Sequence, residues 1–335
     1  MPLIRAREIH WNEAHTCHAT EQDALDNLEA AWKSYLHLLN DCLGVYGVRL
    51  RRPEWDKFAG AVHTDVLDCV LPSGKVLQTV GAHYLGQIFS KSFDIKFLNE
   101  RNEYDFSYMT CYGVSTRVLA CALSCHGDNR GLVLPSAIAK WKVVITPLIF
   151  KGKEAPVIEA GKVWKKKLED AGISVMLDDS DKAPGEKYYF WEMKGVPIRL
   201  EIGPKDVERD QVCLVYRNGA GKTFVAAELA IETIRRLLIH QDASLNAKSK
   251  AYAASKVVTC MTIDEAAQVL KNNGGFVRIP FFSTGLDGAE GDVIVHEKCN
   301  AEVRGFVPGE TIDANLKCAA TGKPATVWAY CAKSY

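Results

Sequence analysis

Val66-Leu67-Asp68-Cys69-Val70-Leu71-Pro72-Ser73-Gly74-Lys75-Val76-Leu77 sets two short apolar runs on either side of a Pro-Ser-Gly-Lys turn. That is the grammar of a hairpin, and it predicts an antiparallel sheet. Residues 43–120 continue in the same style, with a second turn at Asn99-Glu100-Arg101-Asn102. Upstream, Leu25, Leu28, Trp32, Tyr35, Leu36 and Leu39 recur at helical spacing and predict a helix over 21–41. Thr20 followed by Asp23 gives it a capped start, and Gly44 lies just beyond its end. Downstream, a helix is predicted after Thr116, through Val118, Leu119 and Leu123.

The pattern changes over 140–242. Val143-Val144-Ile145 reads as a buried strand. A helix carrying Val157, Ile158, Val163, Trp164 and Leu168 ends at Gly172. Further strands are predicted at 173–177 and 197–202, a hairpin at 212–216 and 223–225, and a last helix over roughly 226–240. This order argues for a compact α/β domain. Residues 243–256 are small and polar and read as a linker or surface helix. Thr262 with Glu265 then caps a helix stopped by Gly274-Gly275, after which strand-like segments alternate with loops to Tyr335. The fold class is therefore mixed α/β (α+β).

Composition sets limits. With 41 Lys+Arg against 41 Asp+Glu in 335 residues, global positive charge cannot drive nucleic-acid binding. Residues 140–242 hold 18 Lys/Arg against 16 Asp/Glu, so the more basic surface belongs there. No apolar run approaches the roughly 18–20 residues of a membrane span. The charged start does not read as a signal peptide. Eleven dispersed cysteines with no CxxC pair read as reduced thiols of a cytoplasmic protein.

Four segments invite a functional reading. Gly219-Ala220-Gly221-Lys222-Thr223 resembles a phosphate loop, but Tyr216 stands where its first glycine belongs and Phe224-Val225 continue as strand, so a hairpin turn is expected. His10, His15 and His18 cluster with Trp11 and Glu13, as metal ligands, a polar pocket or solvated surface. Trp11, Glu13 and His15 alternate at period two, so one strand face would carry all three. Ser115-Thr116-Arg117 opens an apolar helix, either as an anion site or as an ordinary cap. His126–Pro135 reads as a polar loop leading into a buried strand; His126 and Asp128 could pair there, but neither needs a chemical role.

Together these segments resemble prolyl-tRNA synthetase of the eukaryotic and archaeal type. The resemblance rests on Pro2–Thr16, Lys57–Ala61, His83–Gln87, Gly113–Arg117, His126–Pro135, Trp191–Asp206 and Lys333-Ser334-Tyr335, and spans nearly the whole chain. It implies a class II catalytic domain at 1–138, an anticodon-binding domain at 140–242 and a small C-terminal domain at 257–335. The implied activity joins L-proline to tRNA(Pro) through prolyl-adenylate, with ATP and Mg2+. The alternative is a non-catalytic tRNA-binding paralogue.

Matched position by position, Arg5 corresponds to the motif 2 arginine on ATP phosphate, Gln78 to an ATP contact, and Ser115, Thr116 and Arg117 to motif 3, whose arginine holds phosphate. Arg5 and Arg117 are the implied catalytic residues. Trp11, Glu13, His15, Phe58 and His83 correspond to the proline pocket. With this resemblance, the anion-site reading at Arg117 outweighs the plain cap. Three departures accompany it. The match begins inside motif 2, which implies weak proline activation by this chain alone and a weakened homodimer. Gly81 stands where the family has Thr. The C-terminal positions that hold zinc through cysteines in many relatives are here Phe282, Asp287, Cys318 and Thr321, too few thiols for a four-ligand site, so no zinc and no other metal ligand set is expected.

Overall fold

The computed structural model describes residues 3–149, 154–219 and 221–335. Pro2 of the first motif and Ala220 of the glycine-rich turn lie outside them. Along the chain run β1 (Trp11–His18), α1 (Glu21–Leu36), β2 (Gly47–Arg51), β3 (His63–Val70), β4 (Val76–Gly86), α2 (Ile88–Ser92), β5 (Lys96–Leu98), β6 (Tyr104–Phe106), β7 (Tyr108–Ser115) and α3 (Arg117–His126). There follow β8 (Val143–Pro147), α4 (Glu154–Asp170), β9 (Val175–Leu177), α5 (Pro184–Met193), β10 (Ile198–Ile202), α6 (Pro204–Glu208), β11 (Gln211–Tyr216), β12 (Lys222–Ala226) and α7 (Ala230–Ser255). Last come β13 (Val257–Thr259), α8 (Ile263–Asn272), β14 (Phe276–Phe281), α9 (Ala289–Cys299), β15 (Glu302–Phe306) and β16 (Val327–Ala332). Two compact units result: residues 1–41, 45–121 and 250–335, and residues 42–44 and 122–249.

The first unit is organised by a nine-stranded sheet in the order β1-β7-β4-β3-β2-β15-β16-β14-β13, antiparallel except where β13 meets β14. Strands after residue 257 thus continue the sheet that begins at Trp11. The hairpin expected at 72–75 joins β3 to β4, with Val70 opposite Val76. Gly74 takes φ +79°, and its Cα side meets Gly274, whose neighbour Gly275 donates its N–H to the Gly74 carbonyl at 2.7 Å. A Cβ on either of the two facing glycines would collide with backbone, so both turns need glycine. Thr20 accepts from the Asp23 amide at 3.1 Å to start α1, which buries Leu28, Trp32 and Tyr35 and passes into a π-helical turn over His37–Cys42.

Charge is buried in this sheet. Asp68 has no solvent exposure and accepts from Arg304 Nε at 2.8 Å, while Arg52 Nη2 stands 3.5 Å away. Arg52 also donates to the Arg304 carbonyl at 2.5 Å and to Gln78 Oε1 at 2.9 Å. Interior charges persist only when paired and hydrogen-bonded in this way.

The second unit is a five-stranded sheet, β12-β11-β10-β8-β9, parallel from β10 to β9 and antiparallel at β10-β11-β12. Val143, Ile145, Trp164, Leu168, Leu200 and Ile234 form its core with α4 and α7. The glycine-rich turn leads from β11 into β12, a strand and not a helix.

Of the two readings of 243–256, linker or surface helix, the helix holds: the stretch continues α7 to Ser255, with Leu245 and Ser249 buried at helical spacing. Three sequence readings need amendment. The region after Gly275 is not strand and loop throughout, because Ala289–Cys299 is helical and buries Gly291, Val295 and Cys299 on one face. Helices α5 and α6 occupy part of the Trp191–Asp206 motif region, and no sequence signal predicted them. His126 does not pair with Asp128. It ends α3 with its Nε2 donating to the Leu43 carbonyl at 2.8 Å, and burial lowers its pKa, whereas Asp128 takes Arg217 at 2.5 and 2.8 Å. No helix among the described residues is long and apolar enough to cross a membrane.

Candidate active site

Strands β1, β7 and β4 lie side by side, and their register assembles the site. Glu13 stands opposite Gly113, which stands opposite Gly81; His15 stands opposite Cys111, which stands opposite His83. Period two puts both rows on one face. With Trp11, Phe58, Gln78, Ser115, Arg117 and Arg7 they line a cavity of about 600 Å³. Gly113 is required by close approach: a Cβ there would lie 2.8 Å from the Asn12 carbonyl and 3.2 Å from the Trp11 ring.

One wall is aromatic. The Phe58 and His83 rings are 4.8 Å apart. Thr64 fixes both, accepting from the Phe58 amide at 3.0 Å and bonding His83 Nδ1 at 2.9 Å. Burial lowers the His83 pKa against the opposing pull of Glu13, so this imidazole is neutral. Cys111 Sγ donates to Glu13 Oε1 at 3.5 Å, and burial with the nearby Glu13 carboxylate pushes the thiol up to about 12. Glu13 Oε1 also lies 3.3 Å from His15 Nε2.

The other contributions are polar and cationic. Gln78 is oriented from behind by Arg52. Arg117 opens α3, its amide donating to Ser115 Oγ at 3.3 Å and its Nε to the Ile4 carbonyl at 3.1 Å. A Cβ on Gly81 would lie 3.4 Å from both Gln78 Nε2 and His83 Nε2, so a larger residue here would fill the space between them.

Of the residues singled out from sequence, the fold brings Trp11, Glu13, His15, Phe58, Gln78, His83, Ser115 and Arg117 to one cavity. It leaves out two. Arg5 is exposed and its Nη2 donates to the main-chain oxygen of Tyr335, while Thr116 serves α3 through its carbonyl, which accepts from Leu119 and Ala120. Arg7, Cys111 and Gly113 line the cavity unanticipated. Stepping back at period two from Gly113-Val114-Ser115 would have found Cys111. The C-terminal positions hold other contacts: Phe282 packs 5.4 Å from Phe281, Asp287 accepts from Ser283 at 2.6 Å, and Cys318 is buried.

The second unit has its own cavity of about 590 Å³, lined by Lys205, Arg209, Lys222, Glu201, Asp206 and Phe224 among others. Phe224 is 61% exposed, and buried Glu201 accepts from Lys222 at 2.5 Å and Arg199 at 2.9 Å.

Residues 1–126 match the tRNA synthetase class II core domain (G, H, P, S and T), residues 142–237 the anticodon binding domain, and residues 263–335 the prolyl-tRNA synthetase C-terminal family. A proline–tRNA ligase of Methanococcoides burtonii is 40% identical over the whole chain, which covers 68% of that protein. One of Ruminiclostridium cellulolyticum is 36% identical at the same coverage of each. Among solved structures, Giardia lamblia prolyl-tRNA synthetase in complex with prolyl-adenylate has a TM-score of 0.94 and 42% identity, covering 100% of this chain and 71% of that one.

Proposed function

The chain belongs to the prolyl-tRNA synthetases, class II proline–tRNA ligases, and from that premise we propose that the cavity on β1, β7 and β4 is where L-proline and ATP become prolyl-adenylate. The observation that carries this is that one cavity is lined by a single carboxylate, Glu13, by the aromatic side chains Trp11, Phe58 and His83, and by two arginines, Arg7 and Arg117. Proline presents an apolar ring and a secondary ammonium. Trp11, Phe58 and neutral His83 suit the ring, and Glu13, with His15 beside it, suits the two N–H donors of the ammonium.

Activation needs placement more than acid–base chemistry. An oxygen of the proline carboxylate attacks the α-phosphorus of ATP, the new C–O–P bond forms, and the bond to the bridging oxygen breaks to release pyrophosphate. Charge grows on the phosphates, and Arg117 and Arg7 are the cations of this chain that meet it. Gln78 and Ser115 supply polar contacts to the nucleotide, which enters as its Mg2+ complex. Arg5, which the family resemblance sets on ATP phosphate, here donates to the main-chain oxygen of Tyr335. A terminal ribose hydroxyl of tRNA(Pro) then attacks the prolyl carbonyl and AMP leaves.

The tRNA reading draws support from the second unit, where Lys205, Arg209 and Lys222 sit with exposed Phe224. Cations for phosphates beside an exposed aromatic ring for a base are the ordinary elements of single-stranded RNA binding. Residues 1–138, 140–242 and 257–335 are then the catalytic, anticodon-binding and C-terminal domains.

The test is calorimetric binding of a non-hydrolysable prolyl-adenylate mimic against its alanyl counterpart. The prolyl compound is expected to bind at least about tenfold more tightly, from the added ring methylenes and their aromatic wall. Equal affinities would overturn the assignment. Proline-dependent ATP–pyrophosphate exchange then separates an activating enzyme from a paralogue that only binds tRNA.

A further inference from the structure

We propose that Glu13, His15 and Cys111 form a site for one thiophilic divalent cation of the Zn2+ type, and that filling it shuts proline out. The backbone puts the donors together. His15 and Cys111 are directly opposed across β1 and β7, and Glu13 lies two residues from His15 on the same face. Among the described residues this is the one group of three or more His, Cys, Asp or Glu side chains whose ligand atoms converge.

The donor triangle has the dimensions of a metal face. Its edges are 3.3 Å from Glu13 Oε1 to His15 Nε2, 3.5 Å from Cys111 Sγ to Glu13 Oε1, and 3.7 Å from Cys111 Sγ to His15 Nε2. A tetrahedral zinc with Zn–O near 2.1, Zn–N near 2.05 and Zn–S near 2.3 Å requires donor separations of about 3.4, 3.6 and 3.55 Å. The three edges agree with these to within about 0.2 Å, so the donor spacing already matches that of a metal face.

Three protein ligands leave one coordination position unfilled, as in sites that accept an exchangeable ligand. The sulfur selects Zn2+, Cd2+ or Co2+ over Mg2+, which takes oxygen donors, so the magnesium that accompanies ATP does not compete here. On coordination the Cys111 thiol proton is released to solvent and the thiolate binds. Glu13 then no longer has its carboxylate for the proline ammonium. That exclusion rests on the proline reading of the cavity, whereas the metal site itself does not.

The test titrates the chelator-stripped full chain with Co2+ alone and follows the thiolate-to-cobalt charge-transfer band. The band is expected to saturate at one equivalent and to vanish in Cys111→Ser. In His15→Ala and Glu13→Gln, which keep the thiol, it is expected to require at least about tenfold more metal. No band, or a band unchanged in Cys111→Ser, would overturn the site, and so would unchanged titrations in both other variants. L-proline is expected to raise the Co2+ concentration at half-saturation. If proline binds the stripped chain yet leaves the titration unchanged, the proline assignment fails and the metal site stands.

Discussion

The cavity of the first unit and that of the second are close in size, about 600 and 590 Å³, but they are built differently. The first is floored by three hydrogen-bonded strands, and its polar groups are held by neighbours: His83 by Thr64, Gln78 by Arg52 and Glu13 by Cys111. The second gathers Lys205, Arg209 and Lys222 from a short helix, its C-cap and an edge strand beside the exposed ring of Phe224. Volume therefore says little about use. A preorganised aromatic slot with one carboxylate suits a small zwitterion whose reacting atoms must be placed accurately. Lys205 and Arg209, with Lys222 already paired to Glu201, beside the exposed Phe224 ring suit a flexible polyanion, for which charge and stacking outweigh exact placement.

The largest expected effect strikes the scaffold of the first cavity. Asp68→Ala removes the partner of two buried guanidinium groups, and losing one member of a buried pair costs about 3–5 kcal/mol. Urea denaturation should show the first unit unfolding well before the second, and a shared midpoint shift would deny the first unit separate support. Next comes Arg117→Ala, expected to lower proline-dependent pyrophosphate exchange by about 10²–10³-fold. A parallel loss of tRNA affinity would break the division of labour between the cavities.

Phe224→Ala probes the second cavity. Its tRNA affinity should fall by about 1–3 kcal/mol, the value of one base–aromatic stack, measured by filter binding. Unchanged affinity would place the RNA elsewhere. The smallest effect is acidic. Hydrogen bonding to Arg217 holds the Asp128 carboxyl well below the usual range. A depressed folded-state pKa adds stability that is complete above the unfolded value near 3.9 and is lost as pH falls below it. Because Asp128 is 41% exposed, the gain is under about 1 kcal/mol. Asp128→Asn should flatten the loss of second-unit stability between pH 5 and pH 2, on the order of that amount, in thermal melts. An unchanged slope would show that Arg217 contributes nothing there.

Local signals were legible in the sequence where the physics is local. The Pro72–Lys75 turn, the Thr20 cap and the Thr262–Glu265 capping box each act within a few residues, and each appears in the structure. Signals failed where burial overrides local appearance. Val293-Ile294-Val295 looks like a strand, yet it lies in α9, whose buried face is set by Gly291, Val295 and Cys299 against Phe281 and Phe282. Small polar residues after Ala243 leave a linker and a surface helix both open, and Leu245 and Ser249, continuing the buried stripe of α7, decide for helix. Within the site, the period-two face of Trp11, Glu13 and His15 was readable, and period two from Gly113 reaches Cys111, but the pairing of Cys111 with His15 was not readable.

The sequence by itself determined the elements with strong caps and turns, the family through its ordered motifs, and most of the side chains that meet in the first cavity. Only the tertiary structure decided that Arg7 lines the cavity while Arg5 turns to Tyr335, and that Cys111 completes a triangle with Glu13 and His15. The reason is that period two names a strand's face but not its neighbour. The pairing of β1 with β7 and of β7 with β4 is made by hydrogen bonds between residues far apart in the chain, and no local pattern records that register.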